Sequence, residues 1–267
     1  MQEYRQCCKL WRNWYEQAPA EIKERLPAFE AMSSYHSVKM EYDDLNYLAA
    51  TKLWESSVVS GYNGDVNAVI ALNNHKVALS LCSECLKGGE ELSVDLLCGM
   101  QHALSCGLYT PEEYTLREER PGEFRQTAGA VSIIAVEDPA AEVEGAVAAL
   151  INEMPKVAEA NEPIVAAAYL HARLMEIRPF ALANGFVSRL VTNYWLLSVG
   201  HPPLFIPSSE VSRYQLCLEQ FDFHEDIEPL VRLFTEQVVA YWGPQILNVQ
   251  QKEEEQTRKS VFTFKLT

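Results

Sequence analysis

No apolar run in this chain approaches the roughly 20 residues that a membrane-spanning helix needs, and Met1 to Lys9 lacks the basic start and apolar stretch of a secretion signal. The expectation is a cytoplasmic chain without a membrane partner. Positive charge is scarce too: 22 Lys and Arg stand against 37 Asp and Glu, a net −15, and the one concentrated basic pair, Arg258-Lys259, follows Glu253-Glu254-Glu255. A field of that sign repels phosphate backbones, so nucleic acid is not expected as a partner. The seven cysteines, Cys7, Cys8, Cys82, Cys85, Cys98, Cys106 and Cys217, are odd in number and lack the spacing of a disulfide framework. Cys82-Ser83-Glu84-Cys85 is a lone C-x-x-C, so reduced thiols and no metal site are expected.

What the sequence does hold is helical pattern. With 267 residues, 48% of them hydrophobic, the chain is able to bury a sizeable core. Apolar spacing predicts helices over 3–16, 20–32, 35–57, 63–87, 92–105, 139–159, 163–177, 185–199, 208–220 and 225–249. Between them, 107–136 reads as a loop whose β-branched run Ala130 to Val136 suits a small hairpin, and Asp138-Pro139 reads as an N-cap with Pro at the first helical position. Ser260 to Leu266 alternates like a strand that has no partner in its own chain; pairing between chains would supply one.

The most informative stretch is Glu176-Ile177-Arg178-Pro179-Phe180-Ala181-Leu182-Ala183-Asn184-Gly185-Phe186-Val187-Ser188-Arg189. Pro179 stops one helix; a second starts near Asn184-Gly185, with Phe186, Leu190, Val191, Tyr194 and Leu197 at helical spacing until Gly200. Such a junction aims backbone N–H groups and the positive end of a helix dipole at one point, a geometry that holds phosphate. The turn chemistry of Asn184-Gly185 also suits a plain helical hairpin with no ligand.

This junction resembles the signature of the Fic family, H-x-F-x-[D/E]-G-N-G-R-x-x-R. Phe180, Asn184, Gly185 and Arg189 match it; Arg178, Leu182, Ala183 and Phe186 replace the His, the acid, the first Gly and the first Arg. Pro121-Gly122-Glu123-Phe124-Arg125 resembles the P-G-x-[FY]-R stretch before that family's target-docking flap, and His171 and His201-Pro202-Pro203 sit where relatives often carry similar residues. Ser37-Val38-Lys39-Met40-Glu41-Tyr42 resembles the inhibitory segment [S/T]-x-x-x-E-[G/N] of one Fic class, with Tyr42 departing from it.

The resemblance implies an all-α helical bundle with a small β-hairpin flap and N- and C-terminal helical extensions. It implies an N-terminal region 1–90 with the inhibitory segment at 35–45, a core 91–205 with the flap near 121–137 (Gly122, Phe124, Arg125, Ser132, Ile133) and the loop 178–189, and C-terminal helices and tail over 206–267. In the family this loop transfers AMP from ATP to a protein hydroxyl. The phosphate-binding set would be Arg178, Asn184, Gly185 and Arg189; the inhibitory residues would be Ser37 and Glu41, the latter meeting Arg189. Yet Arg178 stands at the position of the proton acceptor and stays protonated at physiological pH, so it binds anions but serves as no base. Leu182 offers no oxygen to Mg²⁺, Phe186 turns a phosphate clamp into an apolar ring, and Ala183 adds a Cβ where the backbone would approach phosphate. The expectation is a catalytically impaired member that binds a target protein, with ATP or phosphate as ligand but no required cofactor. The alternatives are a transferase with altered chemistry and a helical scaffold with no ligand. Relatives are often dimers, which leaves a homodimer open.

Overall fold

The structure is a computed structural model that describes the backbone of residues 2–17, 19–56, 62–126 and 139–264, and their side chains apart from residues 17, 19–23, 139–140 and 247–264. The described helices are α1 (Gln2–Gln17), α2 (Pro19–Lys39), α3 (Tyr47–Ser56), α4 (Val66–Gly88), α5 (Val94–Ser105), α6 (Pro111–Thr115), α7 (Pro139–Ala160), α8 (Pro163–Ile177), α9 (Asn184–Ser198), α10 (Val211–His224, entered through a 3₁₀ turn at Ser208–Glu210) and α11 (Glu228–Phe264). No strand occurs among the described residues. The hairpin expected over Ala130 to Val136, and the Asp138 cap, lie outside them.

Helix α8 is the axle. Ile164, Ala166, Ala167, Ala168, Leu170, Ala172 and Leu174 are buried around its whole circumference, and its alanines let α7, α9, α10 and α11 approach closely. Helix α9 lies alongside with Phe186, Val187, Leu190, Val191, Tyr194 and Leu196 buried. On the far side α1, α2 and α11 meet in an aromatic cluster: Trp242 lies 4.5 Å from Trp11 and 5.5 Å from Phe29 between ring centroids, and its Nε1–H donates to the Pro203 carbonyl at 2.7 Å.

Three expectations are corrected. The helix expected over 35–57 is two: α2 ends at Lys39 and α3 begins at Tyr47, because Leu45 tucks into the core and the Asn46 side chain accepts from the Ala49 N–H at 2.9 Å, capping the new helix. Glu41 therefore sits in the turn after α2 rather than on a helix. Within the expected loop 107–136, Thr110 and Glu113 form a capping box with Pro111 at the first position, enough to start α6. The strand expected over Ser260 to Leu266 is helical backbone as far as Phe264; the alternating pattern had no partner edge to pair with, and α11 meets no later breaker after Pro244.

Candidate functional site

The loop between α8 and α9 is built from its own side chains. Arg178 leaves α8 in the left-handed region (φ 47°), its N–H still reaching the Leu174 carbonyl at 3.0 Å, and Pro179 forbids continuation. Phe180 drops into the core and stacks on Phe124 at 5.5 Å. Asn184 then closes the loop with one side chain: its Oδ1 accepts from the Phe180 N–H at 3.0 Å, and its Nδ2 donates to the Phe180 carbonyl at 2.6 Å. Ala183 takes φ 66°, which suits glycine better than alanine. Ala183→Gly should raise stability by about 0.5–1 kcal/mol and Ala183→Val lower it by about 1–2 kcal/mol. Equilibrium unfolding in urea, read as the midpoint order Gly above Ala above Val, checks this.

A second segment straps the loop in place. The Arg125 N–H donates to the Pro179 carbonyl at 3.0 Å and its Nε to the Arg178 carbonyl at 2.9 Å. Gln101 of α5, fully buried, takes the Gly122 N–H on its Oε1 and gives Nε2 to the Leu182 carbonyl at 3.1 Å. Gly122 needs its φ of 84°, and a Cβ there would lie 3.0 Å from His102. Gly122, Phe124 and Arg125, expected at a flap, thus hold the junction loop; Ser132 and Ile133 lie outside the described residues. Gln101 carried no motif, and its role follows only from the fold.

At the start of α9 the chain provides its own anion. Arg189 Nε donates to Ser37 Oγ at 2.9 Å, and its guanidinium stands 3.5 Å from the Glu41 carboxylate. The Glu41 Oε1 would lie 3.0 Å from a Cβ added to Gly185, at the positive end of the helix dipole. With Arg189 12% exposed and Glu41 50%, the pair is worth at most about 1 kcal/mol after screening. Ser37 in turn donates to His75 Nε2 at 3.3 Å, and His75 Nδ1–H donates to the Ala71 carbonyl at 2.8 Å. Burial first, then the Arg189 charge, push the His75 pKa down to about 4, so the ring stays neutral and this proton order holds. Phe186 is buried between them, 4.8 Å from the His75 ring and 5.6 Å beneath the Arg189 guanidinium. His75 had no signal in the sequence beyond its place on an amphipathic helix.

The loop opens on a cleft of about 580 Å³ that also receives Arg178 and the α10 side chains Tyr214, Glu219 and Asp222. Burial raises the Asp222 pKa, against the pull of Arg178. Among the described residues, no histidine lines this cleft. His171 is buried, with Thr192 Oγ1 on Nδ1 at 2.9 Å and the Tyr214 hydroxyl on Nε2 at 2.7 Å; burial and then Arg189 hold its pKa down to about 3. His201 pairs with Tyr4 at 2.6 Å and the Pro202 carbonyl at 2.7 Å, chiefly through burial at about 4. Both ring nitrogens of each are engaged, so neither is a substitute base in this arrangement. Nor do the residues fit Mg²⁺: Leu182 packs on the core, its carbonyl is taken by Gln101, and among the described residues no three His, Cys, Asp or Glu side chains converge.

The comparisons with known proteins agree on the fold. Residues 91–196 match the model of the Fic/DOC family. Protein adenylyltransferase Fic of Drosophila persimilis is 39% identical over 74 residues, 28% of this chain, and that of Drosophila melanogaster 38% over 74 residues. The match spans only 14% and 15% of those proteins' lengths. A Fic domain containing signaling protein from Bacteroides thetaiotaomicron superposes with a TM-score of 0.77 at 20% identity, over 91% of this chain and 95% of that one. Fic-1 from C. elegans gives 0.76 at 20% identity, over 94% and 72%. The match to the Fic/DOC family thus lies in residues 91–196, within a helical fold shared with Fic proteins over most of the chain.

Proposed function

We propose that this is a Fic-type protein whose nucleotidyl-transfer chemistry is disabled and whose cleft serves to bind a protein partner, with nucleotide or phosphate affinity held down by Glu41. The observation that carries the reading is the seating of the Glu41 carboxylate on Arg189 and Gly185, in a loop where Arg178 and Leu182 replace the proton acceptor and the metal-binding acid of the pattern. Loss of a general base alone costs roughly 10²–10⁴ in rate. Two guanidiniums remain, Arg178 and Arg189, but Glu41, Glu219 and Asp222 line the same cleft and outnumber them, which works against a polyphosphate.

Incubation of the full chain and of Glu41→Gly with radiolabelled ATP and a cell lysate tests the catalytic half. No labelled protein is expected from either, and label transfer by either overturns the reading. Calorimetry with ATP tests the binding half: Glu41→Gly should bind about fivefold more tightly than the parent, as loss of one like charge at close range implies. Equal affinity, or no heat with either protein, leaves Glu41 without a gating role.

A further inference from the structure

Away from the cleft, and sharing none of its residues, α2, α3 and α11 leave a pocket of about 250 Å³. Protein interiors seldom leave a space of this size at a helix junction, and its cause is visible in the sequence: Ala28, Ala31 and Ala50 stand where larger side chains would fill it. Its other walls are mostly aromatic. Tyr35 and Tyr47 meet at right angles with centroids 5.3 Å apart, forming a corner. Tyr241 reaches in from α11, pinned from the core side by Phe29 at 5.3 Å and Phe205 at 5.4 Å. Trp54 is the fourth ring, and it already draws a cation, the Lys76 ammonium at 5.3 Å from its centroid. One carboxylate, Glu55, lies on the rim.

We propose that this pocket binds a methylated ammonium group, as found in choline or trimethyllysine. Four electron-rich rings around a space with an alanine floor suit a bulky, weakly hydrated cation, which gains from ring quadrupoles without demanding hydrogen bonds. An unmethylated ammonium would lose three strong bonds to water that these walls do not replace. Glu55 supplies the complementary charge, and the net −15 of the chain favours approach of a cation. Two cations at the pocket edge are already engaged: Lys76 lies on the Trp54 ring and donates to the Leu53 carbonyl at 3.0 Å, and Arg25 lies over the Trp14 ring at 5.3 Å. Because Tyr241 is braced from outside the pocket, that wall needs little ordering on binding.

The test is a titration of the full chain with choline chloride, with a trimethyllysine peptide, with the same peptide unmethylated, and with 3,3-dimethylbutan-1-ol as the uncharged isostere of choline, followed by NMR shifts of the Trp54 indole. Choline or the trimethylated peptide should bind at least about tenfold more tightly than its uncharged or unmethylated counterpart. Tyr47→Ala, which alters a half-exposed ring and spares the core, should weaken binding about tenfold, and Glu55→Gln about threefold. Equal binding of the uncharged isostere, wild-type affinity in both variants, or no Trp54 shift with any probe would each overturn the proposal.

Discussion

Acidification from pH 7 to about 4.5 will strip several kcal/mol from the stability of this chain, and most of the loss will trace to three histidines. His75, His171 and His201 are buried and neutral, with pKa values pushed down from the ordinary 6.5 to about 4, 3 and 4. Each ring is fixed by a partner on both nitrogens: Ser37 and Ala71, Thr192 and Tyr214, Tyr4 and Pro202. A depressed histidine pKa means that the unfolded chain takes up protons below 6.5 that the folded chain refuses. The stabilisation is therefore complete above pH 6.5 and falls away as the pH drops toward 4. With three such groups the slope near pH 5 approaches about 4 kcal/mol per pH unit. The carboxyls Glu30 and Asp222, whose pKa values burial raises, act in the opposite sense and soften the acid end of that slope. Urea unfolding at pH 7, 6 and 5 measures it; a flat profile across those three values would contradict the assignment of neutral, enclosed rings. His171→Gln should remove about one third of the slope.

The second large effect concerns the strap. Arg125→Met should lower stability by about 1–3 kcal/mol, the cost of leaving a buried acceptor without its donor. Arg125 is almost wholly enclosed, as is Glu119, whose charge opposes the burial that lowers the Arg125 pKa. The substitution leaves the Glu119 carboxylate in the interior without that cation and the Arg178 carbonyl without the Nε donor. Its consequence should also be local: amide exchange over 178–184 should quicken more than exchange in α8, because the Arg125 main chain alone would still hold Pro179. Unfolding midpoints within about 1 kcal/mol of the parent would show that Arg125 is incidental to the fold.

Much of this was legible before any coordinates. The stop at Pro179, the restart at Asn184 and the run of α8 and α9 followed from punctuation and helical spacing, and α9 begins within a residue of its expected start. Ser37 and Glu41 stand out through the resemblance of Ser37 to Tyr42 to an inhibitory segment, and both touch Arg189 from about 150 positions away. What stayed hidden was of two kinds. Helix boundaries that depend on burial were missed: the break before α3 rests on Leu45 sinking into the core and Asn46 capping, neither of which interrupts the apolar pattern. The Thr110–Glu113 capping box, by contrast, is written in the sequence, inside a stretch whose prolines and glycines otherwise mark a loop. The other kind is long-range polar pairing. Gln101 and His75 look like ordinary residues of amphipathic helices, and only the packing of α5 and α4 against the loop turns them into its supports.

The division of labour within the loop separates contour from reactivity. Phe180, Asn184 and Gly185, which match the family pattern, set the backbone path and the space at its mouth, while Arg178, Leu182 and Phe186 stand at positions where the pattern has a His, an acid and an Arg. Because the Asn184 clip and the strap from Arg125 and Gln101 already fix the backbone, entry of an anion requires no rebuilding of the turn. Only the Glu41 side chain, half in solvent, has to swing off Gly185. Exchange between the covered and uncovered forms is then a rotamer event on the scale of nanoseconds, far faster than the microseconds or longer that a moving lid would impose.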